Sequence, residues 1–254
     1  MGKLDGKVCI VTGAAGGIGC AAARLFVKEG ARVLLVDREA GRLAPLVSEL
    51  GDDACSFAAD VSLVEDSQRY VAAAVTRFGR LDVLFANAGV EGQLGSVVEL
   101  APEAFDQVLA VNVRGVFLGM KYAIPQIAKQ GGGSIVITSS IAGLIGSPGL
   151  SAYVTSKHAL LGLMRSAAIE VATQRIRVNT INPGPIDNRM MRGIEGQLSP
   201  GHELDVKRGF EGQVPLARYG TNEEIARLAL FLASDDASYC TGGVFVADGG
   251  FTAH

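Results

Sequence analysis

No run of apolar residues in this chain approaches the roughly 20 that a membrane helix requires, so a membrane span is not expected. Cysteine is sparse: Cys9, Cys20, Cys55 and Cys240 are scattered without CxxC spacing, and read as reduced, mostly buried thiols of a cytoplasmic protein. Histidine is sparser still. His158, His202 and His254 stand far apart and offer no metal cluster. Long basic runs are missing too, and the net charge is only −3, which makes nucleic acid and anionic membranes poor partners. The opening segment "MGKLDGKVCIVTGAAGG" has an apolar run too short for a signal peptide, and that run ends in a glycine loop. There is no linker, low-complexity tract or solenoid repeat. What is present is a chain of 254 residues, 48% hydrophobic and 19% charged, which excludes disorder and suits one large α/β domain or two small ones.

Seven short apolar runs are spaced along it: "KVCIVT", "ARVLLVD", "ACSFAAD", "LDVLFAN", "GSIVITSS", "IRVNTIN" and "GVFVAD". Their near-continuous apolar character is that of strands buried on both faces, as in a parallel sheet. Helical periodicity lies between them, over 17–29, 39–50, 63–79, 102–129, 151–173 and 221–233. This alternation predicts a doubly wound α/β fold of Rossmann type, one domain over residues 1–254 with a seven-stranded parallel sheet. Residues 185–220 break the rhythm, with five glycines before Gly220 and with Met190, Met191, Ile194, Leu198 and Phe210. A connection that long is usually functional, and a substrate lid is expected at about 189–213.

The stretch "TGAAGGIG" (Thr12–Gly19) joins the first strand to the first helix. Glycines there allow a sharp turn and close approach to a pyrophosphate, while the helix N-terminus offers free N–H groups and a positive dipole end. Gly13, Gly17, Ile18 and Gly19 are candidate cofactor contacts. The glycines fit G-x-x-x-G-x-G and G-x-x-G-x-x-G equally, and the loop by itself does not choose. Asp37 ends the second strand, 18 residues beyond Gly19. A carboxylate there accepts hydrogen bonds from the ribose hydroxyls of NAD and repels the 2′-phosphate of NADP. Arg38, beside it, pulls the other way.

Further along stand "NAG" (Asn87–Gly89), "VNV" around Asn112, Ser140, "YVTSK" from Tyr153 to Lys157, and "NPG" (Asn182–Gly184). Each motif alone is weak, but in this order on these elements the chain resembles the compact, single-domain short-chain dehydrogenase/reductase family, from the first strand to the C-terminus. The resemblance implies that Asn87 and Gly89 flank the cofactor near its adenine ribose and support the sheet. It implies that Asp60 and Val61 meet the adenine, and that Pro183, Gly184 and Ile186 meet the nicotinamide. Asn188 stands where the family often carries Thr, and its amide can also donate to the carboxamide. Pro185 replaces what is more usually an aromatic or apolar residue.

Reducing a carbonyl requires a hydride at carbon and a proton at oxygen. Free tyrosine titrates near pH ~10, too high for an efficient base at neutral pH, but a nearby ammonium favours the phenolate. Tyr153 and Lys157 lie one helical turn apart, so Lys157 is expected to lower the phenol's pKa. The family pattern adds that Lys157 grips the nicotinamide ribose. It also selects Ser140 over its neighbour Ser139 to hold the substrate oxygen, and gives Asn112 the role of anchoring a water chain to Lys157. Strand alternation would turn the two serines to opposite sides.

The expected activity is hydride transfer between NAD(H) and a small secondary alcohol or ketone, with no metal. Val90, Glu91, Ile141, Leu144, Met190, Met191 and Phe210 are candidate pocket residues, mostly apolar, which favours an apolar or cyclic substrate. No arginine is placed to clamp a carboxylate. An NADPH-dependent 3-oxoacyl-thioester reductase is the alternative enzyme, opposed by Asp37. A cofactor-sensing binding protein is the non-enzymatic one, opposed by the intact Ser140–Tyr153–Lys157 set. The resemblance further implies a homotetramer packed through 102–129, 151–173 and the C-terminal segment.

Overall fold

The computed structural model describes residues 2–253. All seven expected strands form, six inside their apolar runs and β6 one residue beyond its own: β1 (Val8–Thr12), β2 (Arg32–Asp37), β3 (Ala54–Ala58), β4 (Val83–Ala86), β5 (Gly133–Thr138), β6 (Ile176–Pro183) and β7 (Val244–Ala247). They build one parallel sheet in the order β3-β2-β1-β4-β5-β6-β7. The direction of winding reverses between β1 and β4, and this switch point opens a crevice at the carboxyl ends of the strands. Strand alternation divides the interior. Cys9, Val11, Val83 and Phe85 face one core, while Val8, Ile10, Leu84 and Ala86 face the other.

Helices α1 (Gly17–Lys28), α2 (Ala40–Leu50) and α9 (Asn222–Ala233) pack on the first face, through Phe26, Leu43 and Leu232. Helices α3 (Val64–Phe78), α5 (Gly115–Ala128) and α6 (Ser151–Val171) pack on the second, through Tyr70, Met120, Leu160 and Met164. A capping box starts α9: the Thr221 hydroxyl accepts from Glu224 N, and the Glu224 carboxylate accepts from Thr221 N.

Two expectations need correction. The helix foreseen over 102–129 is α4 (Pro102–Leu109) and α5 joined by a π-helical turn, Ala110–Arg114. Asn112, fully buried in that turn, makes hydrogen bonds outside the helix, and such side-chain competition accompanies π-bulges. Averaged over its polar interruptions, the run Pro102–Ala128 is also apolar enough to cross a membrane by length and composition, with 44% of the window buried inside the molecule. Residues 189–213, foreseen as a glycine-rich loop, are two helices, α7 (Arg189–Leu198) and α8 (Glu203–Gln213). Asn188 nucleates the first by accepting from Met190 N (3.0 Å) and Met191 N (3.2 Å). Gly201, with φ +82°, turns the chain between them. Helix α8 has no buried residue, so this pair is a thin layer over the crevice.

Candidate active site

The crevice has a glycine-rich end at β1 and a proton-handling end at β5 and α6. At the first end, packing separates the two glycine spacings. A Cβ on Gly13 would stand 2.8 Å from Ala88 Cα, one on Gly17 2.4 Å from Asn222 Oδ1, and one on Gly19 2.2 Å from Gly13 O. On Gly16 it would meet only Gly13 O, at 3.2 Å. The close approaches therefore follow Gly13, Gly17 and Gly19. Gly16 is the N-cap of α1 and supplies no side-chain cap, so the first N–H groups of the helix remain available to an anion beside Ile18. This uncapped, side-chain-free helix start fits the pyrophosphate of a dinucleotide.

Asp37 ends β2 beside this loop. Its Oδ2 accepts from Ala15 N (3.0 Å) and its Oδ1 from Arg38 N (2.8 Å), which fixes the carboxylate while leaving lone pairs free. Arg42, passed over in the sequence, also reaches this corner, with Nη2 donating to Ala15 O at 3.3 Å. Asp60 lies past the end of β3, and its Oδ1 accepts from Ser62 N (2.9 Å) and Ser62 Oγ (2.6 Å). The Val61 side chain is buried against Gly115, where an added Cβ would stand 2.8 Å from Val61 Cγ2, so any ligand contact there falls to backbone atoms.

Asn87 is committed to the sheet. Its Nδ2 donates to Thr12 O (3.1 Å), its Oδ1 accepts from Thr138 Oγ1 (3.1 Å), and its N donates to Thr12 Oγ1 (3.0 Å). Thr12 is a residue the sequence reading missed. Its hydroxyl also accepts from Ala88 N, tying β1 to the "NAG" turn. A polar residue at the carboxyl end of a buried strand was the available signal.

At the other end, the two serines point apart as expected. Ser139 Oγ donates to Lys157 O (2.9 Å) and is buried, whereas Ser140 Oγ is partly exposed and accepts from Ala142 N (3.1 Å). Ser140 and Asn182 are linked, Asn182 Nδ2 donating to Ser140 O at 2.7 Å. The next residues of β6 and its loop, Pro183, Gly184 and Ile186, run beside this point, and an added Cβ on Gly184 would stand 2.7 Å from Asp248 Cα. Asn188 spends its oxygen on capping α7 and keeps its amide N–H groups.

Lys157 is buried, with Nζ donating to Thr138 O at 2.9 Å and standing 5.4 Å from the Tyr153 ring centroid. Burial pulls its pKa down to about 8. Burial also pushes the Tyr153 phenol up to about 12, with the Ser140 hydroxyl opposing and the Glu91 charge adding to the rise. The expected lowering of the phenol by Lys157 is thus not what this structure holds. The ammonium faces the ring and a carbonyl, and desolvation wins. Asn112 is fully buried nearby. Its Oδ1 accepts from Val90 N (2.8 Å), and its Nδ2 donates to Val90 O (2.9 Å) and Ser156 Oγ (3.0 Å), so it clasps the strand-four loop. Gly89 is where the parts meet: an added Cβ would lie 3.3 Å from Asn112 Oδ1 and 3.5 Å from Lys157 Nζ.

Above Tyr153 lies an apolar cluster of Ala142, Leu150, Leu94, Val154 and Met190. Tyr153 Oη donates to Met190 Sδ at 3.8 Å. Of the expected pocket residues, Met190 and Glu91 come to Tyr153; Phe210 lies half-buried on α8. Leu94 and Leu150 were missed, because they meet through the Gly95–Leu150 bridge, a contact with no local signature. Helix α7 is held down by Gln197, which accepts from Leu94 N (3.0 Å) and donates to Gly92 O (3.2 Å), and by Glu195, which accepts from Tyr219 Oη (2.8 Å).

Residues 13–252 match the family model described as enoyl-(acyl carrier protein) reductase. The solved structure of levodione reductase superposes with a TM-score of 0.94 at 37% identity, over 98% of this chain and 99% of that one. This chain belongs to the short-chain dehydrogenase/reductase family. Cyclohexanol dehydrogenase of Acinetobacter sp. (strain SE19) is 38% identical over 253 residues, covering 98% of this chain and 96% of that protein. 3-Oxoacyl-[acyl-carrier-protein] reductase FabG of Thermotoga maritima is also 38% identical, over 98% of both chains. The protein is an oxidoreductase of the short-chain dehydrogenase/reductase family, which uses nicotinamide cofactors.

Proposed function

We propose that the protein transfers a hydride between NAD(H) and a secondary alcohol or its ketone, with an apolar or cyclic substrate. The observation that carries this reading is the buried phenol of Tyr153 opening into an apolar cluster, with the Ser140 hydroxyl and the Lys157 ammonium beside it. When bound, the cofactor supplies or accepts the hydride. Gly13, Gly17, Ile18 and Gly19 hold its pyrophosphate, Asp37 its adenosine ribose, and Pro183, Gly184, Ile186 and Asn188 its nicotinamide end. Backbone atoms at Asp60 and Val61 border the adenine, and Lys157 grips the second ribose. Asn87, Gly89 and Asn112 keep the crevice in shape.

The phenol remains protonated at neutral pH because its pKa stands at about 12, so Tyr153 is ready to donate its proton to a carbonyl oxygen. Ser140 donates to the same oxygen as charge develops on it. In the oxidative direction Tyr153 must first lose its proton, so that direction gains as pH rises. Helices α7 and α8 close over the substrate, and Glu91 disfavours a carboxylate there by repulsion. The names of two relatives, cyclohexanol dehydrogenase and levodione reductase, support a cyclic substrate. The protein is proposed to act in the cytoplasm as a homotetramer.

A second reading, a 3-oxoacyl-thioester reductase using NADPH, draws on the Thermotoga relative and on Arg38 and Arg42 at the adenosine corner. Oxidation of NADH or NADPH over a panel of cyclic ketones and a 3-oxoacyl thioester separates the two. Turnover of cyclic ketones with NADH supports the first; turnover of the thioester with NADPH alone supports the second.

A further inference from the structure

Met190 is the one side chain of α7 whose polarizable atom meets the proposed proton donor, Tyr153 Oη donating to its sulfur at 3.8 Å. Met190 and Met191 are partly exposed, whereas Met120 and Met164 are buried at 3% and 0% exposure. Exposed thioethers are oxidised by peroxides to sulfoxides, polar groups with a strong acceptor oxygen. We propose that Met190 is a peroxide-sensitive modification site whose sulfoxide occupies the substrate-oxygen position and shuts the enzyme off reversibly. The inhibitory half of this rests on the proposed function of the same site.

The step is a two-electron oxidation by a hydroperoxide. An S–O bond forms from a sulfur electron pair as the O–O bond breaks. The proton on the transferred oxygen passes to the departing hydroxide, which leaves as water. The product sulfoxide is pyramidal at sulfur, unlike a planar ketone, but it shares with a ketone a polar acceptor oxygen flanked by two carbons. Its oxygen replaces a weak sulfur acceptor beside two hydroxyls, those of Tyr153 and Ser140, in a pocket otherwise walled by Leu94, Ala142 and Leu150. It therefore competes with substrate while leaving the glycine-loop end untouched. Met190, and not its neighbour Met191, takes the Tyr153 hydrogen bond and joins the cluster around that ring.

The test treats the full-length protein with hydrogen peroxide, then with dithiothreitol to return oxidised Cys20, Cys55 and Cys240 to thiols, and maps sulfoxides by peptide mass. The expected result is sulfoxide at Met190, a loss of ketone turnover on the order of tenfold, unchanged NADH affinity, and recovery on adding methionine sulfoxide reductases. Normalised to its own untreated rate, Met190→Leu should resist peroxide and Met191→Leu should not. An unmodified Met190, full modification without loss of turnover, failure of the reductases to restore it, or equal sensitivity of Met190→Leu would each overturn the proposal. A readout independent of turnover covers the case in which the untreated protein reduces no ketone, which counts against the proposed function alone. Oxidation should lower the Tm of Tyr153→Phe, which leaves the half-buried sulfoxide short of a donor, more than that of wild type. Equal shifts would overturn the proposal there.

Discussion

The carboxyl edge of β4 and β5 and the helices α7–α8 face each other across the same pocket, yet they are built differently. Along the edge almost every polar atom has a backbone partner: Lys157 on Thr138 O, Ser139 on Lys157 O, Asn112 on both polar atoms of Val90, Asn87 on Thr12. The covering helices are attached by a few side chains, chiefly Gln197 and Glu195, and α8 has no fully buried residue. On the proposed function, a preorganised floor and a loosely pinned cover would divide the work. Proton transfer needs groups fixed within a fraction of an ångström, while substrate entry needs a layer that opens at low cost.

Mutations on the floor should accordingly cost more than mutations in the cover. The largest effect is expected for Lys157→Met, with kcat reduced on the order of 1,000-fold and NAD affinity weakened, since the ammonium has two proposed partners. Unaltered NAD binding by calorimetry would remove the ribose contact. Next comes pH. With Lys157 at about 8, its charge is lost as pH rises above that value, while Tyr153, at about 12, stays protonated. Ketone reduction should hold up to about pH 8 and then fall, approaching tenfold per unit, whereas alcohol oxidation, which needs the phenolate, should rise with pH. Parallel profiles in the two directions would contradict these assignments.

A smaller effect is expected at the adenosine corner. NAD should be preferred over NADP by roughly tenfold, about 1.4 kcal/mol. Asp37→Ser should erase most of that, because Arg38 and Arg42 then face a 2′-phosphate without a competing carboxylate. Equal kcat/KM with both cofactors in the wild type would sink this. The smallest effect is expected in the cover. Gln197→Ala removes two hydrogen bonds at an exposed position and should raise KM a few-fold with little change in kcat, on the order of 1 kcal/mol. It should also speed protease cleavage within 189–213, and saturating NAD plus substrate should slow that cleavage. A variant with unchanged KM and unchanged cleavage would show that the clamp does not hold α7.

Legibility follows the same division. The floor could be read from sequence because its logic is local: near-continuous apolar runs set β1 and β4 in the sheet, a glycine run marks the β1–α1 turn, and Tyr153 and Lys157 share a helix face. Three features escaped, two because they depend on distant partners and one because its glycines masked two helices. The π-helical turn contains Asn112, whose side chain pairs with Val90, 22 residues away in sequence. Helices α7 and α8 were hidden by their glycines, and Asn188, read only as a ligand donor, also caps α7. The raised phenol pKa comes from burial under Leu94, Leu150 and Met190, which no spacing of Tyr and Lys reveals.

The proposal that Tyr153 is the proton donor is tested most directly by Tyr153→Phe, which keeps the ring and removes only the hydroxyl. Ketone reduction by NADH should fall on the order of 100-fold or more in kcat, with NADH affinity by fluorescence titration almost unchanged. Wild-type kcat in the Phe variant across pH 6–10 would contradict it.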